Sequence, residues 1–117
     1  MKKIISLLVV IFLLTACGKN TYETITTNKA LELIESGAII IDVRTSDEFN
    51  TGHISNAVNI PLDQIETIGY DKDSTIIVYC QSGMRSKEAA NKLVNMGYTS
   101  LYNLDGGLIN WGGSLEE

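Results

Sequence analysis

The chain has 117 residues, with 14 acidic against 9 basic side chains, a formal charge of −5, a single histidine and two cysteines. That length accommodates one compact domain and no more. The acidic balance excludes charge-driven binding to nucleic acid or anionic lipid. One histidine and one available thiol cannot supply the three or four ligands of a metal site, and no cofactor is expected.

The chain opens with the basic Met1-Lys2-Lys3, followed by a run from Ile4 to Leu14 that is apolar apart from Ser6. A permanent membrane span needs about 20 apolar residues, so the pattern points to an export signal. Leu14-Thr15-Ala16-Cys17 resembles the lipobox of bacterial lipoproteins. That resemblance implies a diacylglycerol on the Cys17 sulfur, cleavage after Ala16, and an acylated Cys17 as the new N-terminus. An ordinary signal peptide and an uncleaved anchor are the alternatives. The expected organisation is a signal peptide over 1–16, a tether over 17–21, one domain over 22–113 and a tail over 114–117, exported and lipid-anchored to a bacterial membrane outside the cytoplasm. Removing residues 1–16 takes Lys2 and Lys3 but no acid, which moves the charge from −5 to −7. Attachment is therefore expected from acyl chains rather than from a basic patch. With Cys17 acylated, Cys80 has no partner in the chain, and a lone thiol in an exported protein is a candidate reactive group.

The remaining residues alternate between two hydrophobic periods, which indicates a parallel α/β fold. Glu23 to Thr26 reads as a short strand. Thr27 caps a helix that turns Ala30, Leu31, Leu33 and Ile34 inward and ends at Gly37. Ala38 to Val43 is a continuous apolar run closed by Asp42 and Val43, the pattern of a strand buried on both faces. Thr45 or Ser46 caps a short helix through Asp47, Glu48 and Phe49, ended by Gly52. Ala57 to Ile60 is a brief strand stopped by Pro61, and Leu62, Ile65 and Ile68 mark a helical turn at three-residue spacing. Asp71 to Asp73 reads as a charged turn only. Thr75 to Tyr79 is a second buried strand that runs directly into Cys80. A helix from about Arg85 to Asn95 places Ala89, Ala90, Leu93, Val94 and Met96 on one face, and Gly97 ends it. Ser100 to Leu104 is the last strand, and Asp105-Gly106-Gly107 turns into a closing segment near Trp111.

The chemically informative stretch is Cys80-Gln81-Ser82-Gly83-Met84-Arg85-Ser86, between a buried strand and a helix. Ligands of open α/β sheets gather at the carboxyl ends of strands. A helix N-terminus there presents unpaired N–H groups and partial positive charge, and a tight loop aims several of them at one point. Gly83 permits a backbone conformation that side chains resist. A thiol in such a nest, near the Arg85 guanidinium, ionises more readily, and the thiolate is the nucleophile. The plain alternative for Cys80 is a small buried hydrophobe at a strand end.

Cys80-x-x-Gly83-x-Arg85-Ser86 resembles the active loop of rhodanese-like sulfurtransferases. Asp42-Val43-Arg44, Glu48-Phe49, Gly52-His53-Ile54, Ala57 to Pro61, Gly106-Gly107 and Trp111 follow in that family's order, so the resemblance covers about residues 22–113. It implies a three-layer fold, with a central parallel five-stranded sheet flanked by helices on both faces. It also implies a two-step reaction: Cys80 takes sulfane sulfur from a donor such as thiosulfate, and the resulting persulfide yields it to cyanide, a thiol or a partner protein. Loop residues Gln81 to Ser86 would hold the persulfide charge, with Arg85 steering the anionic donor. The alternatives are a non-catalytic carrier or redox-sensing module and, more remotely, a phosphatase-like enzyme. Cysteine phosphatases place five residues between Cys and Arg, whereas only four stand between Cys80 and Arg85. Asp42, Arg44 and Glu48 are expected to support the site. His53 is expected as a packed, hydrogen-bonded link, and Trp111 as a lid on the core.

Overall fold

A computed structural model describes residues 21–117. The strands are β1 (Tyr22–Ile25), β2 (Ile39–Asp42), β3 (His53–Ile54), β4 (Val58–Asn59), β5 (Thr75–Tyr79), β6 (Ser100–Leu104) and β7 (Leu115–Glu116). The α-helices are α1 (Thr27–Glu35), α2 (Ser46–Thr51) and α3 (Met84–Asn95), and Leu62–Thr67 and Gly107–Asn110 form 3-10 helices. β1, β6, β5, β2 and β4 pair in that order, all parallel, into one five-stranded sheet. β3 and β7 form a separate antiparallel pair.

Side chains alternate across a strand, so β5 feeds two cores. Ile76 and Val78 face α3, where they meet Ile41, Ile65, Ala89, Ala90 and Leu93. Ile77 and Tyr79 face the other way, toward Ala30 of α1, Leu104 and Trp111. The expected three-layer α/β arrangement is thus the observed one, with the sheet clothed on both faces because β5 carries apolar residues on both sides.

Four local expectations are corrected. Thr26, not Thr27, caps α1, its side chain accepting the Lys29 N–H at 3.2 Å. Leu31 is 47% exposed rather than inward, because Ala30 supplies the buried contact of that turn. The turn at Asp71–Asp73 does more than carry charge: the Lys72 ammonium lies 4.3 Å from the Tyr98 ring centroid, and its carbonyl accepts the Thr99 N–H at 3.1 Å. Residues 114–117 are not a free tail, since Leu115 and Glu116 pair with Ile54 and His53. Among the described residues, no helix is long and apolar enough to cross a membrane. The expected signal peptide and Cys17 lie outside the described residues.

Candidate active site

Cys80 follows β5 and keeps the parity of Ile76 and Val78, so its side chain points to the α3 face. The chain then turns through Gln81 and Ser82 to Gly83, whose φ of 98° makes it a left-handed N-cap for α3. Its turn brings amides back onto the sulfur. The Gly83 N–H donates to Cys80 Sγ at 3.1 Å, and the Ser86 N–H donates at 3.4 Å. The thiol itself donates to Ser86 Oγ at 3.6 Å.

The loop is braced from behind. The Leu108 and Ile109 N–H groups donate to the Cys80 and Gln81 carbonyls at 3.0 and 3.1 Å. Gly107 makes this possible, because a Cβ there would fall directly on the Cys80 carbonyl oxygen. With those carbonyls held outward, the following amides are free to face inward. Burial pushes the Cys80 thiol up. Hydrogen bonding with the Ser86 hydroxyl and from the Ser86, Gly83 and Ser82 amides outweighs it and brings the group below its ordinary value.

Cys80 is fully buried, at 0% exposure, because it packs in the α3-side core, while Gln81, Ser82 and Met84 form the exposed rim. One expectation about the loop, that for Arg85, is corrected. Arg85 is not a free cation beside the sulfur: its guanidinium is engaged by Glu48, with Nη1–Oε1 at 2.8 Å and Nη2–Oε2 at 3.1 Å. The same carboxylate closes the capping box of α2 by accepting the Thr45 N–H at 3.0 Å. Glu48 therefore ties the start of α2 to the start of α3. The hydrogen bonds from Arg85 lower its pKa to about 2.

Asp42 and Arg44 form a buried pair at the end of β2, with Arg44 Nη2 to Asp42 Oδ2 at 2.8 Å. Arg44 also donates to the Gly52 carbonyl at 2.6 Å and to Gln81 Oε1 at 3.4 Å, which joins this corner to the loop. His53 lies in β3, its ring stacked on Phe49 at 3.7 Å and its Nδ1 2.9 Å from the Phe49 carbonyl. It is a packing link outside the sulfur's hydrogen-bond set. Trp111 is 8% exposed and closes the opposite core. Among the described residues, no cluster of three or more His, Cys, Asp or Glu side chains could hold a metal ion.

The sequence reading missed Asn103. It is fully buried in β6, and its Oδ1 accepts from Ser86 Oγ. The available signal was an amide within Leu101-Tyr102-Asn103-Leu104, a stretch otherwise suited to a buried strand.

Comparison with known proteins agrees with this fold. The sequence model of the rhodanese-like domain matches residues 26–114. The uncharacterized protein YqhL of Bacillus subtilis (strain 168) is 43% identical over 81 residues; the match covers 68% of this chain but 64% of that protein, just under two thirds of its length. The thiosulfate sulfurtransferase GlpE of Shewanella oneidensis is 32% identical over 95 residues, covering 79% of this chain and 94% of that protein. The crystal structure of a rhodanese-like domain protein from Staphylococcus aureus superposes with a TM-score of 0.72 at 31% identity, covering 80% of this chain and 96% of that one. A thiol cradled by amides after the third strand of a five-stranded parallel sheet order, matched over most of the chain, places the protein in the rhodanese-like domain family.

Proposed function

We propose that this protein is a sulfurtransferase that carries sulfane sulfur on Cys80. The carrying observation is the convergence of the Gly83 and Ser86 amides and the Ser86 hydroxyl on one sulfur. In the first step the Cys80 thiolate attacks the outer sulfur of a donor such as thiosulfate. A Cys80 S–S bond forms, the donor S–S bond breaks, and sulfite leaves with the electron pair. The new terminal sulfur, about 2 Å beyond Sγ, is the anion. The amide cradle stabilises it as an oxyanion hole stabilises oxygen. Cyanide or an acceptor thiolate then attacks that outer sulfur and returns the Cys80 thiolate.

Burial of Cys80 means that each step requires the exposed rim of Gln81, Ser82 and Met84 to part. The Glu48–Arg85 pair leaves the donor to be held mainly by amides, which supports weak affinity for the thiosulfate dianion and favours a persulfide on a thiol or partner protein as donor. The same burial favours one second reading, a stoichiometric carrier that holds sulfur without sustained turnover. Lipid attachment through Cys17 outside the cytoplasm belongs to this proposal.

The test is mass measurement of the full chain in detergent after treatment with thiosulfate or polysulfide. One added sulfur is expected on the tryptic peptide from Asp73 to Arg85, lost on reduction and absent in Cys80→Ser. An unchanged mass with both donors would sink the proposal. Uptake without thiocyanate production from cyanide would select the carrier.

A further inference from the structure

Two buried groups, Ser86 and Asn103, line up behind the sulfur and lead to Thr24 at the surface. Cys80 Sγ donates to Ser86 Oγ, Ser86 Oγ donates to Asn103 Oδ1, and Asn103 Nδ2 donates to Thr24 Oγ1 at 3.5 Å. Cys80, Ser86 and Asn103 are each at 0% exposure. The register accounts for the alignment: Asn103 lies directly opposite Val78 of β5 and Thr24 of β1, so it projects from the middle of three paired strands toward α3.

This direction of donation suits a neutral thiol. A thiolate has no proton to give and needs one from Ser86, yet a hydroxyl carries only one hydrogen. If Ser86 turned its hydrogen to the sulfur while Asn103 kept its place, two acceptor oxygens would face each other in a dry interior, which is costly. Asn103 can remove that conflict because a carboxamide has an acceptor and a donor end of nearly the same shape. Turned over, its N–H₂ donates to Ser86 Oγ and its oxygen accepts from the Thr24 hydroxyl. Every hydrogen bond in the row then runs the other way.

We propose that Asn103 is a positioning residue whose amide turns over when Cys80 loses its proton, letting Ser86 switch from donating to Asn103 to donating to the anionic sulfur. The inference rests on the sulfur-transfer reading for its purpose, since an anionic sulfur must exist both before attack and in the persulfide. The thiol proton leaves to bulk water, and no covalent bond other than S–H changes. The charged groups bordering the loop are Arg85 of α3, held by Glu48 of α2, and the mutually offset Asp42–Arg44 pair at the end of β2. β6 contributes only the non-titrating Asn103.

The test is the pH dependence of iodoacetamide alkylation at Cys80 in the full chain in detergent, followed on the peptide from Asp73 to Arg85. The midpoint reads thiol ionisation, whereas access alone scales the rate at every pH. Asn103→Asp, when ionised, offers Ser86 only acceptors and adds a negative charge near the sulfur, and its midpoint is expected to rise by at least about one unit, a tenfold change in the ionisation constant. Asn103→Leu frees Ser86 and is expected to stay within about threefold of the parent. Ser86→Ala, the loss of a single oxygen, serves as the arm least demanding of folding and is also expected to raise the midpoint by about one unit. A parental midpoint in Asn103→Asp or in Ser86→Ala would overturn the proposal, as would an equal rise in Asn103→Leu and Asn103→Asp. Sulfur uptake is measured separately by mass, so failure of uptake with the expected midpoints would reject the transfer reading and leave the switch standing.

Discussion

Replacing Gly107 by alanine tests how the sulfur loop is held. The new methyl would fall on the Cys80 carbonyl oxygen and lie 2.9 Å from both the Cys80 and Gln81 carbonyl carbons, at a φ of +56°. The left-handed backbone alone costs a side-chain-bearing residue about 1 kcal/mol. Restoring ordinary contact requires the turn to retreat by about 1 Å, against a packed neighbour that yields at a cost of roughly 1–2 kcal/mol. The retreat weakens the Leu108 and Ile109 hydrogen bonds to the loop, each contributing about 1 kcal/mol. The expected loss is about 3–5 kcal/mol, or roughly 15–30 °C in Tm for a domain of this size. Urea unfolding measures it. Gly37→Ala is the control, because Gly37 has a φ of 101° with nothing within 4 Å of its built Cβ, and only the backbone term of about 1–2 kcal/mol applies. Folded Gly107→Ala protein in the cold should also take up no sulfur on Cys80. If both variants lost the same stability, the contact with the Cys80 carbonyl would not be what braces the loop.

Glu48 titrates at about 2 against an ordinary 4.5, so its contribution is present above about pH 4.5 and is lost as pH falls through about 2. The pair is more than a third exposed, so the stability gap between the parent and Glu48→Gln should be about 1 kcal/mol at neutral pH and should close within that window. Urea midpoints showing an undiminished gap at about pH 2 would refute the assignment. Arg44→Ala leaves Asp42 buried without its cation and should cost about 3–5 kcal/mol in urea unfolding. A loss below about 1 kcal/mol would mean that water replaces the guanidinium. Palmitate labelling and membrane sedimentation of the chain in bacteria should both disappear in Cys17→Ala; retained sedimentation would point to an uncleaved anchor.

Sequence pattern made the central elements legible because they are local. Thr75 to Tyr79 and Ser100 to Leu104 are strands over the expected residues, since apolar runs of that length have one buried solution between glycine-bounded helices. The loop was equally readable, because Cys80, Gly83 and Ser86 are close in sequence. What escaped depends on contacts across the chain. Arg85 reads as a free cation until Glu48, 37 positions away, is brought against it. Asn103 reads as an ordinary polar interruption until β6 is seated between β1 and β5. The final Leu115 and Glu116 carry no strand signal of their own and pair only because His53 and Ile54 offer an edge. Cys80's burial likewise follows from α3 and the Gly107 turn closing on it together.

The uniform direction of the five strands gives the domain two poles. Tyr22 is level with Leu101 and Ile76, so the polypeptide enters at the starting pole of the sheet, while Cys80 lies four residues further along, roughly 13 Å away at the finishing pole. A leash fastened upstream of Tyr22 would therefore hold the molecule by its back and leave its sulfur gate turned toward open water, where partners arriving from the aqueous side would meet it first.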